Sequence, residues 1–391
     1  MKYFIKIYGC QYNEWDGARL DYLLQKLGLT PSGEKEADII FLLSCSVRKS
    51  AVDRVMGLVK NNSHKKVVVT GCILNNDKKK YKEKNVIIWD NQKPEDLKDI
   101  LLSFRPIASP PLGGSSKARN PITTRSLDSF QLLEMTKMLN KGNASSAYLP
   151  IMIGCNNFCS YCAVPYTRGR ETSRPFDEVV TDFKKMVRNG HKGIMLLGQN
   201  VNSYNPSDVI STHREPTAGW IERGEKSQHS KNKFSLLLKT LNDINGNFTI
   251  TFTSNHPKDM SEEVIKAIAS LPKIKKEIHL PLQSGSNKIL KAMNRPYTKE
   301  KYLELVDEIK KAIPNVSITT DFIVGFPGET EEDFQETVEL IKKVNYKAAY
   351  INKYSPRSGT VAYKLGDPIP WKEKERRWRI LNDISYTSKR K

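Results

Sequence analysis

The sequence predicts an α/β chain in two parts, an N-terminal doubly wound parallel sheet and then a partial (β/α)6 barrel. Three observations carry this reading. Apolar strands alternate with helical patterns through residues 1–102, a Pro/Gly/Ser-rich break follows, and further strand–helix units alternate from residue 147 onward.

The first part reads as follows. Lys2–Tyr8 alternates its side chains as a strand does and ends at Gly9-Cys10. Glu14–Leu27 carries Trp15, Ala18, Leu20, Leu23, Leu24 and Leu27 at helical spacing and stops before Gly28. Asp38–Ser44 is a buried apolar strand with Cys45 next, and Lys66–Thr70 is a valine-rich strand followed by Gly71-Cys72. Val86–Trp89 and a helix over Pro94–Leu102 complete the pattern. Three strands thus each deliver a cysteine at the carboxyl end, the edge where open α/β sheets bind ligands. Cys10, Cys45 and Cys72 are therefore expected to meet at one site; three buried thiols acting as small hydrophobes are the alternative.

Residues 103–146 read as linker, from Pro110-Pro111-Leu112-Gly113-Gly114-Ser115-Ser116 into a basic, Thr-rich stretch with a short amphipathic helix around Leu127–Leu139. In the second part, 147–370, strands are expected at Tyr148–Ile153, Gly193–Leu197, Phe248–Phe252, Glu277–Leu280, Val316–Val324 and Ala348–Lys353. Helices near Phe176–Arg188, Phe234–Leu241, Glu262–Ala269, Lys299–Ile313 and Glu331–Lys343 lie between them. Residues 203–233 show little periodicity and read as a loop insertion. A basic helix, Trp371–Ile384, opens the last segment, 371–391. Barrel chemistry gathers at strand carboxyl ends.

Composition narrows the function classes. Lys+Arg 63 against Asp+Glu 43 gives a formal charge of +20, which sets partners rather than fold. A polyanion such as nucleic acid is its most economical partner; a generally lysine-rich composition is the alternative. The N-terminal Met1–Ile7 stretch is too short and too interrupted by lysine for a signal sequence, and no apolar run approaches the roughly 18 residues of a membrane span. A soluble, cytoplasmic protein with reduced thiols and no membrane partner is expected, its six cysteines better suited to metal than to bridges. No Gly-x4-Gly-Lys-Ser/Thr phosphate loop is present.

The segment Gly154-Cys155-Asn156-Asn157-Phe158-Cys159-Ser160-Tyr161-Cys162 spaces its cysteines as Cys-x3-Cys-x2-Cys, three thiolates with no fourth nearby. A structural zinc site wants a closed shell of four ligands, and ordinary iron–sulfur clusters take four cysteines. Three leave one iron of a cubane open to an outside ligand.

This spacing, with Tyr161 just before the third cysteine, resembles the signature of radical S-adenosylmethionine enzymes. In that family the open iron chelates the cofactor, and the reduced cluster splits it to a 5′-deoxyadenosyl radical. The additional N-terminal cysteines resemble those of the methylthiotransferases within it, which act on isopentenyladenosine in tRNA, on threonylcarbamoyladenosine in tRNA, or on a ribosomal-protein aspartate. The first subfamily is matched best. The matching stretches are Tyr8-Gly9-Cys10-Gln11-Tyr12-Asn13-Glu14, Cys162-Ala163-Val164-Pro165-Tyr166-Thr167-Arg168-Gly169-Arg170-Glu171, Leu196-Leu197-Gly198-Gln199-Asn200-Val201-Asn202, Thr253-Ser254-Asn255-His256-Pro257, His279-Leu280-Pro281-Leu282-Gln283-Ser284-Gly285-Ser286, Met293-Asn294-Arg295 and Thr320-Asp321-Phe322-Ile323-Val324-Gly325-Phe326-Pro327-Gly328-Glu329.

The resemblance implies two 4Fe-4S clusters, one on Cys155, Cys159 and Cys162 and one on Cys10, Cys45 and Cys72, with catalysis through both, and S-adenosylmethionine as cofactor. It implies a tRNA anticodon stem-loop, a low-potential electron donor and a sulfur donor as partners. The family's small C-terminal RNA-binding β-barrel (the TRAM domain) is expected to be absent, because the sequence ends at Lys391, about where it would begin. Other methylthiotransferase substrates, or a non-catalytic iron–sulfur RNA-binding protein, are the alternatives.

Tyr161, Gln199, Gln283 and Asp321 are the candidate cofactor contacts, the last three at or near strand ends, where capping a loop is an equally ordinary role. His256 and His279 are candidate proton or hydrogen-bond partners, with structural roles as common. Arg168 and Arg170 are expected to meet cofactor or RNA, or else to be solvated. Lys78-Lys79-Lys80, Arg376-Arg377 and Lys389-Arg390-Lys391 are candidate phosphate contacts.

Overall fold

The computed structural model describes residues 1–84, 86–104, 146–206 and 232–387. The Leu127–Leu139 helix, nearly all of the linker, most of the 203–233 insertion and the Lys389-Arg390-Lys391 tail lie outside these residues. The chain divides into two compact units, Met1–Gly142 and Asn143–Lys391.

In the first unit the chain runs β1 (Lys2–Ile7), α1 (Gln11–Lys26), β2 (Thr30–Pro31), β3 (Ile39–Cys45), α2 (Lys49–Asn61), β4 (Lys66–Cys72), α3 (Asn75–Lys82), β5 (Ile87–Ile88) and α4 (Asp96–Ser103). The strands form one parallel sheet in the order β2-β1-β3-β4-β5. Strand β3 is buried on both faces, which is why its Ile39–Leu43 stretch reads as an unbroken apolar run. Its Ile39, Phe41 and Leu43 pack with Leu20 and Leu24 of α1 and Leu97 and Leu101 of α4. Its Ile40 and Leu42 pack with Val55 and Val59 of α2 and Tyr81 of α3. Two features differ from the sequence reading. Helix α1 begins at Gln11 instead of Glu14, with Cys10 as its extended N-cap residue, and strand β2 with helices α2 and α3 is additional.

The second unit contains β6 (Ser146–Pro150), β7 (Met152–Ile153), α5 (Val164–Thr167), β8 (Thr172–Ser173), α6 (Phe176–Arg188), β9 (Gly193–Leu197), α7 (Lys233–Asn242), β10 (Thr249–Phe252) and α8 (Glu262–Ser270). It continues through β11 (Glu277–His279), α9 (Asn287–Ala292), α10 (Lys299–Ala312), β12 (Ser317–Val324), α11 (Glu331–Val344), β13 (Ala348–Lys353) and α12 (Trp371–Thr387). Strands β6, β9 and β10 pair in parallel, as do β11, β12 and β13. The two groups join where Ile250 exchanges backbone hydrogen bonds with Lys273 and Lys275, at 2.8 and 3.0 Å. The result is a six-stranded parallel partial barrel in sequence order. Local capping sets the helix starts: Asn232, Ser261 and Thr298 accept from first-turn N–H groups, and Thr330 forms a reciprocal capping box with Asp333.

The expected strand Tyr148–Ile153 is instead two. Ile151 is the crossover: its N–H still donates to Leu197 O of β9 at 2.9 Å while its carbonyl accepts from Arg174 N at 2.8 Å, and β7 beyond it pairs antiparallel with β8. That two-stranded strap gathers the ends of the intervening cysteine loop. Helix α12 packs on β13 through the indole of Trp378, which donates to Ile351 O at 3.0 Å, and through fully buried Leu381.

Candidate functional site

In the first unit, the strand order 2-1-3-4-5 places a topological switch between β1 and β3, where doubly wound sheets hold their ligands. Cys10 follows β1, while Cys45 and Cys72 end β3 and β4 as register partners. Asn13 ties this edge together: its Nδ2 donates to Ser44 O at 2.9 Å, and its Oδ1 accepts from Cys72 Sγ at 3.8 Å. The glycines beside the cysteines allow the close approach. A Cβ on Gly9 would lie 2.2 Å from Asn13 Nδ2. Gly71 has φ +93°, and a Cβ there would lie 2.7 Å from Ser44 O. Burial, reinforced by neighbouring Cys10, pushes the Cys45 thiol up.

In the second unit, the cysteine loop springs from the β7/β8 strap. Gly154 has φ +81° and its N–H donates to Gln199 Oε1 at 2.5 Å. Cys155 N donates to Gly169 O at 3.3 Å and Cys162 N to Cys159 O at 2.9 Å. Phe158 sits at φ 47°, where its carbonyl accepts from Asn294 Nδ2 at 3.0 Å. Ser160 is tied to Met293 O through its N–H and to Ala292 O through Oγ, and its carbonyl accepts from Ala362 N. Residues distant in sequence thus clamp this short loop. Burial, with repulsion from Cys159 second, pushes the Cys162 thiol up to about 12, so cluster assembly there must release protons.

The barrel strands turn alternate side chains toward and away from their helices. Phe252 meets Phe234 of α7, and Phe322 meets Tyr346 just beyond α11. Away from the helices lie Tyr148, Met195 and Thr251 in one register row, then His279, Thr319, Asp321 and Tyr350. His279 bridges Thr319 Oγ1 and Asp321 Oδ2, each at 2.9 Å, and Tyr350 packs edge-on against it at 6.1 Å. Tyr350 is 56% exposed. This face therefore presents polar and aromatic groups that are partly or largely exposed.

The candidates singled out from sequence fall in different places. Gln199 holds the cysteine loop. Gln283 lies beyond β11 at φ 80°, bonded through its backbone to Asp321 and Ile323 of β12. Asp321 lies within β12 instead of at its end. Tyr161 is half-buried against a core of Ile289, Met293, Phe326, Tyr354 and Ala362. His256 is buried; burial, with Arg295 and Lys258 adding repulsion, lowers it to about 2, so it stays neutral. Its Nδ1 accepts from Lys258 N, which makes it a turn residue instead of a proton carrier. Arg168 is buried, and exposed Arg170 stacks over the Phe158 ring at 4.2 Å. Arg376 and Arg377 are engaged by Glu331, Glu373 and Glu329, so the expectation that they hold phosphates is corrected. Lys78 and Lys79 of α3 are exposed. Sequence reasoning gave no role to Arg295, which donates to Cys159 Sγ at 3.4 Å, because that contact spans the loop and a helix far along the chain.

Among the described residues no three metal-ligating side chains are already gathered as a metal site. The fit to iron–sulfur clusters is therefore one of donor chemistry and placement. Each three-cysteine set offers thiols only, and the second adds a buried guanidinium against one sulfur.

Residues 149–341 match the Radical SAM superfamily, and residues 2–89 match the Uncharacterized protein family UPF0004. The fold is like that of the radical S-adenosylmethionine methyltransferase TsrM from Kitasatospora setae, with TM-score 0.57 and 12% identity over 93% of this chain and 74% of that one. It is also like that of the cobalamin-dependent S-adenosylmethionine radical enzyme OxsB, with TM-score 0.53 and 11% identity over 99% and 56%. The barrel is accordingly that of a radical S-adenosylmethionine protein. The tRNA-2-methylthio-N(6)-dimethylallyladenosine synthase of Clostridium botulinum is 39% identical over 98% of this chain and 82% of its own length. That of Thermoanaerobacter pseudethanolicus is 40% identical over 94% and 74%. The chain belongs to this synthase family.

Proposed function

We propose that the protein transfers a methylthio group to C2 of N6-isopentenyladenosine beside the anticodon of tRNA, using two 4Fe-4S clusters and S-adenosylmethionine. The observation that carries this reading is the presence, in one chain of this family, of two three-cysteine sets, each at the carboxyl edge of a parallel sheet or barrel. The bond to be replaced is an unactivated C–H, and the sulfur has to come from a separate store. When bound, the two groups supply a 5′-deoxyadenosyl radical at one set and sulfur at the other.

The chain's own residues then have distinct tasks. Cys155, Cys159 and Cys162 hold one cluster, and Cys10, Cys45 and Cys72 the other. Gln199 and the β7/β8 strap fix the loop that presents the first. His279, Asp321 and Tyr350 orient the cofactor or the adenosine on the uncovered face, where polar groups meet an aromatic ring. Exposed Lys78 and Lys79 are available to RNA phosphates, and a low-potential electron donor and a sulfur donor complete the system. No helix among the described residues is long and apolar enough to cross a membrane.

The test is mass spectrometry of tRNA nucleosides from a host lacking its own enzyme. Expression of this chain should produce methylthio-isopentenyladenosine. If isopentenyladenosine remains unmodified while a threonylcarbamoyl derivative or a ribosomal protein gains the group, the substrate assignment is wrong.

A further inference from the structure

Arg295, just beyond α9, is only 7% exposed, and each of its three guanidinium nitrogens donates to a named partner. Its Nε donates to Tyr297 Oη at 2.6 Å, its Nη2 to Pro281 O at 2.6 Å and its Nη1 to Cys159 Sγ at 3.4 Å. None of these partners is a carboxylate, and among the described residues no aspartate or glutamate pairs with it. A buried cation is retained only where something negative repays its lost hydration. The Tyr297 ring, its centroid 5.1 Å from the guanidinium carbon, adds a cation–π contact but no formal charge. The remaining source of negative charge is the sulfur of Cys159 and the group it binds.

Three thiolates on a four-iron cluster carry net negative charge, and one-electron reduction makes that charge larger. A fixed guanidinium at one of those sulfurs therefore favours the reduced state over the oxidised one. Hydrogen bonds to sulfur and nearby charge are recognised levers on such potentials. We propose that Arg295 is the built-in counter-charge of the cluster on Cys155, Cys159 and Cys162, and that its Nη1–H bond to Cys159 raises that cluster's reduction potential. Arg295 is thus a positioning residue for the electron, which arrives from an external low-potential donor and reduces the cluster by one unit. Tyr297 and the Pro281 carbonyl hold the guanidinium in place.

This inference rests on the reading that these three cysteines hold a cluster. The test is a dithionite redox titration followed by electron paramagnetic resonance, in the full chain with Cys10, Cys45 and Cys72 replaced by alanine so that the signal has one source. Arg295→Gln is expected to lower the reduced-to-oxidised ratio at a fixed potential roughly tenfold, about 59 mV for one electron. Arg295→Lys, which keeps the charge, should lie nearer the parent chain. An unchanged or raised potential in Arg295→Gln, or equal shifts in both variants, overturns the proposal. A second measurement needs no variant at Arg295: with 15N-labelled arginine, the reduced cluster should show a nitrogen hyperfine coupling, and its absence overturns the hydrogen bond. No cluster signal in the parent chain would sink the underlying reading, whereas a signal with an unmoved potential sinks the inference alone.

Discussion

Gly154→Ala will leave the barrel without its cluster while the N-terminal unit keeps its own. Gly154 holds φ +81°, a conformation that disfavours any residue with a Cβ. The added carbon would also lie 2.1 Å from Arg170 O, 2.5 Å from Arg170 C and 2.7 Å from Gly169 O. All three are backbone atoms of the segment that leads into β8, so no side chain can swing away to relieve the clash. The hydrogen bond from Gly154 N to Gln199 must lengthen, and Cys155, next in sequence, moves with it. A shift of about 1 Å in a reacting group is enough to lower a rate roughly a hundredfold. Iron should fall from about eight to about four per chain, with 5′-deoxyadenosine formation lost, both measured after anaerobic reconstitution. A full iron complement with normal cofactor cleavage contradicts the placement of this loop.

Arg377→Ala is expected to destabilise the second unit by about 3–5 kcal/mol, the cost of stranding a buried charge. Glu329 and Arg377 side chains are 1% and 6% exposed and meet at 2.7 Å. Glu329 also accepts from Gly325 N at 2.6 Å, and Arg377 donates to Glu373 at 2.6 Å. The pair thereby fastens α12 to the turn that follows β12. Gly325, at φ +72°, lies directly under the Lys374 stem, where a Cβ would come within 2.4 Å of Cγ. Burial already pushes the Glu329 carboxyl up. Without arginine it loses the partner that keeps it ionised. Urea denaturation measures the loss, followed by fluorescence in a chain whose other four tryptophans are replaced by phenylalanine so that Trp378 alone reports. Glu329→Gln with Arg377→Met should recover much of it, since neither residue is then charged. A loss below about 1 kcal/mol, as for a surface pair, contradicts the account.

The architecture was legible because its strands have a simple signal. Ile39–Leu43, buried on both faces, is apolar throughout, and the barrel strands are spaced by amphipathic helices. Helix α3 escaped notice because its Lys78-Lys79-Lys80 run hides a single buried residue, Tyr81. Cys10 looked like a strand-end residue, yet its extended backbone makes it the N-cap of α1.

At the sites, the cysteines were legible and their supports were not. Asn13 reaches Cys72 across 59 residues, Arg377 reaches Glu329 across 48, and Arg295 reaches Cys159 across 136. No periodicity or local spacing encodes such pairings. They depend on strand order, and the Arg376-Arg377 pair, read from its charge alone, pointed toward phosphate instead of toward the carboxylates it meets.

The central claim is that two three-cysteine sets hold separate clusters with separable work. The most direct test follows iron and two products in Cys10→Ala beside the unaltered chain. The account predicts about eight irons in the unaltered chain and about four in the variant, with 5′-deoxyadenosine still formed by the variant and no methylthio nucleoside. About four irons in the unaltered chain, or loss of both products together, would contradict it.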